Sequence, residues 1–265
     1  MKKSTKLLLA AALALGLTGQ AKADFLEGSQ TSPPGQIQVI GSHYEANSMD
    51  AKGKEKSTDL QRTVFSATIK GKDDMMTIDD ATVGVFGMAT IPYIYASNGA
   101  IDESVGGLGD ITLEAGPYIS TKQLDVLVTG RVKTSSGEYD ASHKLNLGSG
   151  QVDVGACVRS TLKLNPVMID NTACYDGRRE KPADRVTDMF TPSVGIGDHV
   201  RIGLETNAAY STDSSFVRVG PIGRYTLKDG TNITATCSAD VLTYNATNGV
   251  GCELRLRVPL SVFIK

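Results

Sequence analysis

The sequence predicts an all-β protein: an antiparallel transmembrane β-barrel of about 12 strands, with short periplasmic turns and longer extracellular loops. Three observations carry this. From Asp24 onward, apolar residues recur at period two rather than at the 3.6 of a helix. The connections between the alternating segments are by turns long and short, as in outer-membrane barrels. The chain also opens on an export signal, and no later apolar run approaches the ~20 residues of a spanning helix. Membrane insertion would therefore require a closed barrel, the other structure that satisfies its backbone in lipid.

The first segment divides into a basic stretch, "MKKSTK", an apolar stretch, "LLLAAALALGLTG", and a small-x-small site, "AKA" (Ala21 to Ala23). This is a cleavable bacterial signal peptide over residues 1–23, leaving residues 24–265 as the barrel domain. The apolar stretch is too short for an anchor, and no Cys follows the cleavage site to carry a lipid. The expected location is the bacterial outer membrane. The whole chain holds 27 Lys+Arg against 29 Asp+Glu. Loss of Lys2, Lys3, Lys6 and Lys22 brings the mature domain to about −6, which gives no support to a nucleic-acid partner.

Twelve strands are expected. The first six run near Gln36–Ala46, Leu60–Lys70, Thr82–Ala96, Asp110–Ser120, Leu124–Thr134 and Gln151–Leu164. The second six run near Val167–Tyr175, Val186–Ile196, Arg201–Ser211, Phe216–Leu227, Asn232–Thr243 and Val250–Lys265. Pro92 and Pro192 each remove a ladder donor from the third and eighth strands. Long connections such as "NSMDAKGKEKSTD" and "SNGAIDESVGGLG" follow odd strands. Tight ones, "GKDD", "TKQ", "NP", "GDH" and "KDGT", follow even strands. The segment "MMTI" either extends the third strand or lengthens the turn before it.

Each strand has two faces. In the fifth, Leu124, Val126, Val128 and Val132 alternate with Asp125, Thr129, Arg131 and Lys133. In the last, Leu254, Leu256, Val258 and Leu260 oppose Glu253, Arg255 and Arg257. One face suits lipid and the other a polar interior. The expected pore-lining set is Arg62, Glu114, Asp125, Arg131, Lys133, Asp153, Arg159, Asp170, Arg201, Glu205, Arg218, Arg224, Glu253, Arg255 and Arg257. A soluble β-sandwich is the alternative fold; it would turn the charged faces to solvent and join the apolar faces in a core. Trp is absent. Phe65, Tyr175, Tyr210 and Tyr225 are the aromatic residues expected near the rims of the apolar face.

Four cysteines in an exported chain read as two disulfides, with three connectivities possible in principle. Cys157 and Cys174 flank Asn165-Pro166 symmetrically, and Cys237 and Cys252 flank "TYNATNG". On strand parity the first pair falls inward and the second outward.

"VGGLGDITLEAGPYI" and "SSGEYDASHKLNLGSGQVDVGA" resemble a family of outer-membrane proteins associated with the meta-pathway of phenol degradation. The shared pattern is Gly107, Leu108, Gly109 and Asp110 entering a strand, then Leu147, Gly148, Ser149 and Gly150 before the next outer strand. The resemblance covers mainly Ile91 to Val158. It implies a transmembrane barrel that moves small solutes and supplies no catalytic residues. Outer-membrane barrels usually end on an aromatic residue read by the barrel assembly machinery; this chain ends "SVFIK", with Phe263 two residues short of the end.

No catalytic site, metal or cofactor is expected. His43, His143 and His199 scatter over both rims, a Gly-x-Ser-x-Gly elbow is missing, and no CxxC occurs. "DESVGGLGD" and "KDDMMTIDD" lack the spacing of a calcium loop. "MDAKGKEKSTD" offers mixed charge to lipopolysaccharide phosphates or simply to water. The expected partners are outer-membrane lipid, lipopolysaccharide, the assembly machinery and a small-molecule solute of unspecified identity. The expected function is a passive channel for small solutes, anionic or aromatic. The alternatives are a non-conducting structural or surface-interaction barrel whose lumen is plugged by its own charges, and an exported β-sandwich that binds a ligand.

Overall fold

A computed structural model of the chain describes residues 36–49, 55–98, 103–137, 147–177, 184–212, 214–244, 248–259 and 262. The expected signal peptide, His143 and Phe263 lie outside the described residues. Thirteen strands are described, all in one sheet. They are β1 (Gln36–Met49), β2 (Glu55–Ile78), β3 (Ala81–Asn98), β4 (Glu103–Leu108), β5 (Thr112–Ser120) and β6 (Leu124–Lys133). There follow β7 (Asp153–Leu164), β8 (Val167–Gly177), β9 (Arg185–Ile196), β10 (Val200–Ser211), β11 (Ser215–Thr226), β12 (Asn232–Tyr244) and β13 (Asn248–Pro259).

Every pairing is antiparallel, and the pairings form a circuit. β1 lies between β13 and β2, and β2 also pairs with β3. β3 pairs with β5 over Thr82–Thr90, and from β5 each strand pairs with its successor through to β13. β4 continues β5: the farther part of β3, Tyr93–Asn98, pairs with Leu108–Glu103. Between these two registers, Ile91 and Pro92 face Gly109, Asp110 and Ile111, so one extra residue bulges out. The circuit thus has twelve members, and each of the twelve expected strands appears in it, Pro92 and Pro192 included. The segment "ESVGGL", expected in a loop, extends the fourth of them.

A second difference concerns "GKDD". It is not a turn. β2 runs on through "MMTI" to Ile78, and the chain reverses at Asp79 and Asp80, where Asp79 takes φ 51°. Asp is among the few residues that tolerate that conformation. The charged cluster misled because two of its charges are satisfied within the fold: Lys72 is buried and pairs with Asp74 at 3.1 Å.

The faces are inverted relative to a soluble protein. Val158 is 48% exposed and Leu254 57%, whereas Asp125 is 0% and Arg257 2%. A sandwich would bury the apolar faces and expose the charged ones; here the charged faces point inward. The exposed apolar surface carries aromatic residues toward the strand ends. Tyr93, Tyr95, Tyr175 and Tyr210 lie toward the long-loop rim and Tyr225 toward the short-turn rim, with Phe65 also exposed. Aromatic residues at both edges of an apolar band are a feature of barrels in lipid.

Both disulfides join directly opposed residues: Cys157 to Cys174 across β7–β8, and Cys237 to Cys252 across β12–β13. The first is buried among inward residues; the second lies on the exposed apolar face.

Candidate functional site: the charged interior of the barrel

Alternation places charged side chains of most strands in the interior, where each needs water or a partner. The partners come from neighbouring walls. Toward the long-loop rim, the bidentate pair Arg218–Asp240 joins β11 to β12 at 2.8 and 3.2 Å. At the same rim, Lys133 of β6 reaches Asp110 at 3.5 Å and Asp153 of β7 at 4.0 Å.

In the middle, Glu114 of β5 is a hub. The Arg159 guanidinium of β7 approaches it at 2.6 Å, Thr129 donates to it at 3.2 Å, and Arg131 stands 3.9 Å away. Arg131 also faces Asp176 of β8 at 3.2 Å. Gly155 makes this last pair possible: it sits between the two in register, and a Cβ there would lie 2.9 Å from an Asp176 oxygen and 2.0 Å from the Tyr175 carbonyl. Across the barrel, Arg255 of β13 meets Glu205 of β10 at 3.2 Å and also pairs with Glu253. Glu205 is three strands from Arg255 around the circuit, so this contact spans a chord of the interior.

The two halves of this layer feel one another. Lys70 of β2 lies within electrostatic range of Arg257, Arg159 and Arg255, and of Glu114. Arg257 is in the same relation to Arg224, Arg255 and Asp170. Four buried cations from β2, β7 and β13 thus share the interior, tempered by Glu114, Glu205 and Glu253.

Toward the short turns, Asp125 accepts from Ser120 at 2.6 Å and pairs with Lys163 at 2.8 Å. Thr161 donates to Asp170 at 2.7 Å, Arg224 to the Thr234 hydroxyl at 3.4 Å, and Arg201 to the Pro166 carbonyl at 3.3 Å.

Apart from Arg62, the residues expected in the interior sit on inward faces, spread over three levels. Arg62 lies opposite Tyr44 in the β1–β2 register, but its side chain is outside the described residues. Sequence reading missed Lys70 and Lys72, which parity with Thr68 would have found. Asp110, Asp176 and Asp240, which lie near strand ends, stand outside the expected pore-lining set, although Asp110 falls on the polar side of the fourth expected strand. Thr129 is buried on the face that alternation gave it, whereas the buried Thr161, Thr191 and Thr234 were not singled out, since Thr suits either face of a strand. An apolar inward cluster of Phe86, Tyr118 and Leu127, with Met88 against it, was also unexpected. Of the histidines, His199 is in a short turn with Nδ1 2.9 Å from the Thr226 carbonyl, and His43 is on β1.

A twelve-member circuit of antiparallel strands, greasy outside and ionic inside, is a β-barrel of the bacterial outer-membrane class, and its apolar band faces lipid. The chain belongs to the family described as "Putative MetA-pathway of phenol degradation", whose model matches residues 22–256. Among solved structures, it is similar to an outer membrane channel from Pseudomonas putida F1. The TM-score is 0.63 at 13% identity, over 84% of this chain and 95% of that one. It is also similar to the transport unit of the autotransporter AIDA-I from Escherichia coli, with TM-score 0.48 and 9% identity over 96% and 97% of the two chains. The translocator domain of the autotransporter NalP from Neisseria meningitidis gives TM-score 0.45 at 9% identity, over 97% and 95%. No curated protein matches the chain in sequence.

Proposed function

We propose that this protein is a narrow outer-membrane channel for small solutes, with the mid-barrel ionic layer as its selectivity element. The carrying observation is the burial of Lys70, Arg159, Arg255 and Arg257 together in the barrel interior. Rings of one charge sign set ion preference in a pore, and a cation-rich level favours anionic solutes. Family membership and the channel in the Pseudomonas structure's name support transport over other roles. The family description adds a link to phenol degradation, which makes small aromatic anions suitable probes. The reading carries no catalytic step. The chain would be inserted by the barrel assembly machinery and contact lipid and lipopolysaccharide along its apolar band.

Planar-bilayer recording tests this. Arg255→Ser with Arg257→Ser is expected to move the reversal potential under a salt gradient toward cation preference. An unchanged potential would remove those two side chains from the path. A second reading follows from the burial of the same layer: a non-conducting barrel closed by its own ion pairs. Well-folded protein that never shows a current step would favour that reading.

A further inference from the structure

The two glycine-bearing motifs of the sequence, Gly107–Asp110 and Leu147–Gly150, meet in one joint that the channel reading does not use. Asp110 occupies the bulge between β4 and β5, and its carboxylate is wholly buried. Three donors from the β6–β7 connection converge on it. The backbone N–H of Gly137 donates at 3.0 Å, the N–H of Ser149 at 2.7 Å and the Ser149 hydroxyl at 2.9 Å. Lys133 supplies the counter-charge from 3.5 Å. Next to this, Ser136 accepts from the Ile111 N–H at 2.8 Å, and Thr134 donates its N–H to the Ile111 carbonyl at 2.8 Å.

The contacts place Leu147–Ser149 inside the barrel. Gly107 pairs with Ile94 and shares its inward face. A Cβ on Gly107 would lie 2.8 Å from the Leu147 side chain, and one on Gly109 would meet both Ile94 and the Leu147 carbonyl. Leu147 and Ile94 are both buried. Gly148 is equally tight, with an Asp110 oxygen 2.4 Å from where its Cβ would be. The glycines thus clear a seat on the inner wall of β3–β4, Leu147 fills it, and a buried carboxylate holds the stretch down.

We propose that Asp110 is a latch: it pins Leu147–Ser149 as a strap against the inner wall at the long-loop mouth, and its release uncovers Ile94 and widens that mouth. Charge-assisted bonds to a buried carboxylate are about twice as strong as neutral ones, so one side chain can decide the position of the strap.

The test is thiol labelling of Ile94→Cys in the full chain on intact cells, with a membrane-impermeant maleimide added outside. All four native cysteines are in disulfides, so the new thiol is the sole target. With Asp110 present, labelling should be slow. Adding Asp110→Ala should speed it at least about tenfold, the factor that loss of one charge-assisted bond would produce. Equal rates in folded protein, judged by heat-modifiable gel migration, overturn the latch. If Asp110→Ala does not fold, Asp110→Asn and Ser149→Ala carry the test. Asn keeps one acceptor oxygen and Ala keeps the Ser149 N–H, so each should label faster than the parent, and parental rates in both overturn the proposal. Only the widening rests on the channel reading. Faster labelling in a barrel that never conducts would keep the latch and reject the channel; a conducting barrel with unchanged labelling would reject the latch alone.

Discussion

The hairpins β7–β8 and β12–β13 carry the same covalent device on opposite faces. Their cysteines lie 17 and 15 residues apart in sequence, directly opposed, with Cα atoms 4.1 and 4.0 Å apart. The first bond faces inward, with an Arg131 nitrogen 3.6 Å from the Cys157 sulfur. The second faces lipid, flanked by the outward Ala235 and Leu254. The linkage is indifferent to face, so its shared role must lie elsewhere. Both hairpins are heavily charged: one carries Asp153, Arg159, Lys163, Asp170 and Asp176, the other Asp240, Glu253, Arg255 and Arg257. A one-residue slip in register would swing such a set into lipid. A cross-strand disulfide forbids that slip, whichever face it occupies.

The two walls differ in how their arginines are held, and the largest expected effect exploits this. Arg159 has Glu114 as its acid within ion-pair distance, and Glu114 also serves Thr129 and Arg131. Arg255 has two acids, Glu205 and Glu253. Removing one partner of a buried pair typically costs ~3–5 kcal/mol because the remaining charge stays buried. Glu114→Ala should cost about that much. Glu205→Ala should cost less, about 1–3 kcal/mol, because Glu253 remains. Urea unfolding in lipid vesicles measures both; circular dichroism is the suitable probe in a chain without Trp. Equal losses would mean that the two walls do not differ as drawn.

Removing each disulfide comes next. Chain entropy makes a loop of about 15 residues worth about 3 kcal/mol. The two loops are almost equal in length, so Cys157→Ala with Cys174→Ala and Cys237→Ala with Cys252→Ala should lower stability by matching amounts. A much larger loss for one hairpin would show that its bond also holds register in the folded state.

Much of this architecture was legible because a barrel in lipid has an unusually strict grammar. Period-two alternation gave all twelve members of the circuit, and parity gave the faces of both disulfides. It failed where alternation carries no information. "GKDD" looks like a solvated turn, yet Lys72 and Asp74 pair with each other. Phe86 and Leu127 are apolar and still face inward, because part of the interior wall is an apolar cluster. Asp110 sits in a bulge, where the two-residue period is broken by one. The glycines beside it serve the close approach of the Leu147–Ser149 stretch, which no pattern of alternation reveals. Which acid meets which base could be read only in part, since several pairs skip one or two strands of the circuit: Arg159 with Glu114, Arg131 with Asp176 and Arg255 with Glu205.

The smallest expected effect separates the two hairpins by medium alone. Ser in place of Cys removes the bond and leaves a hydroxyl; Ala removes the bond and leaves none. Inside, the hydroxyls at positions 157 and 174 would stand beside Thr129 and Thr187 in register, with Arg131 nearby, so hydrogen-bond partners are at hand. On the lipid face, the hydroxyl at 237 would stand among Ala235, Ala239 and acyl tails, while the one at 252 lies opposite His43 in register. Burying a hydroxyl without a partner costs ~1–3 kcal/mol in proteins, and bonding back to the strand's own carbonyls would relieve part of that. Ser and Ala variants of the inner pair should therefore be about equally stable, while the outer pair should lose about 1 kcal/mol more with Ser than with Ala. The measurement is the difference between the two urea midpoints at each hairpin, which cancels the entropy of the lost bond. If the larger Ser penalty fell on the inner pair, the assignment of the two faces to lipid and interior would have to be exchanged.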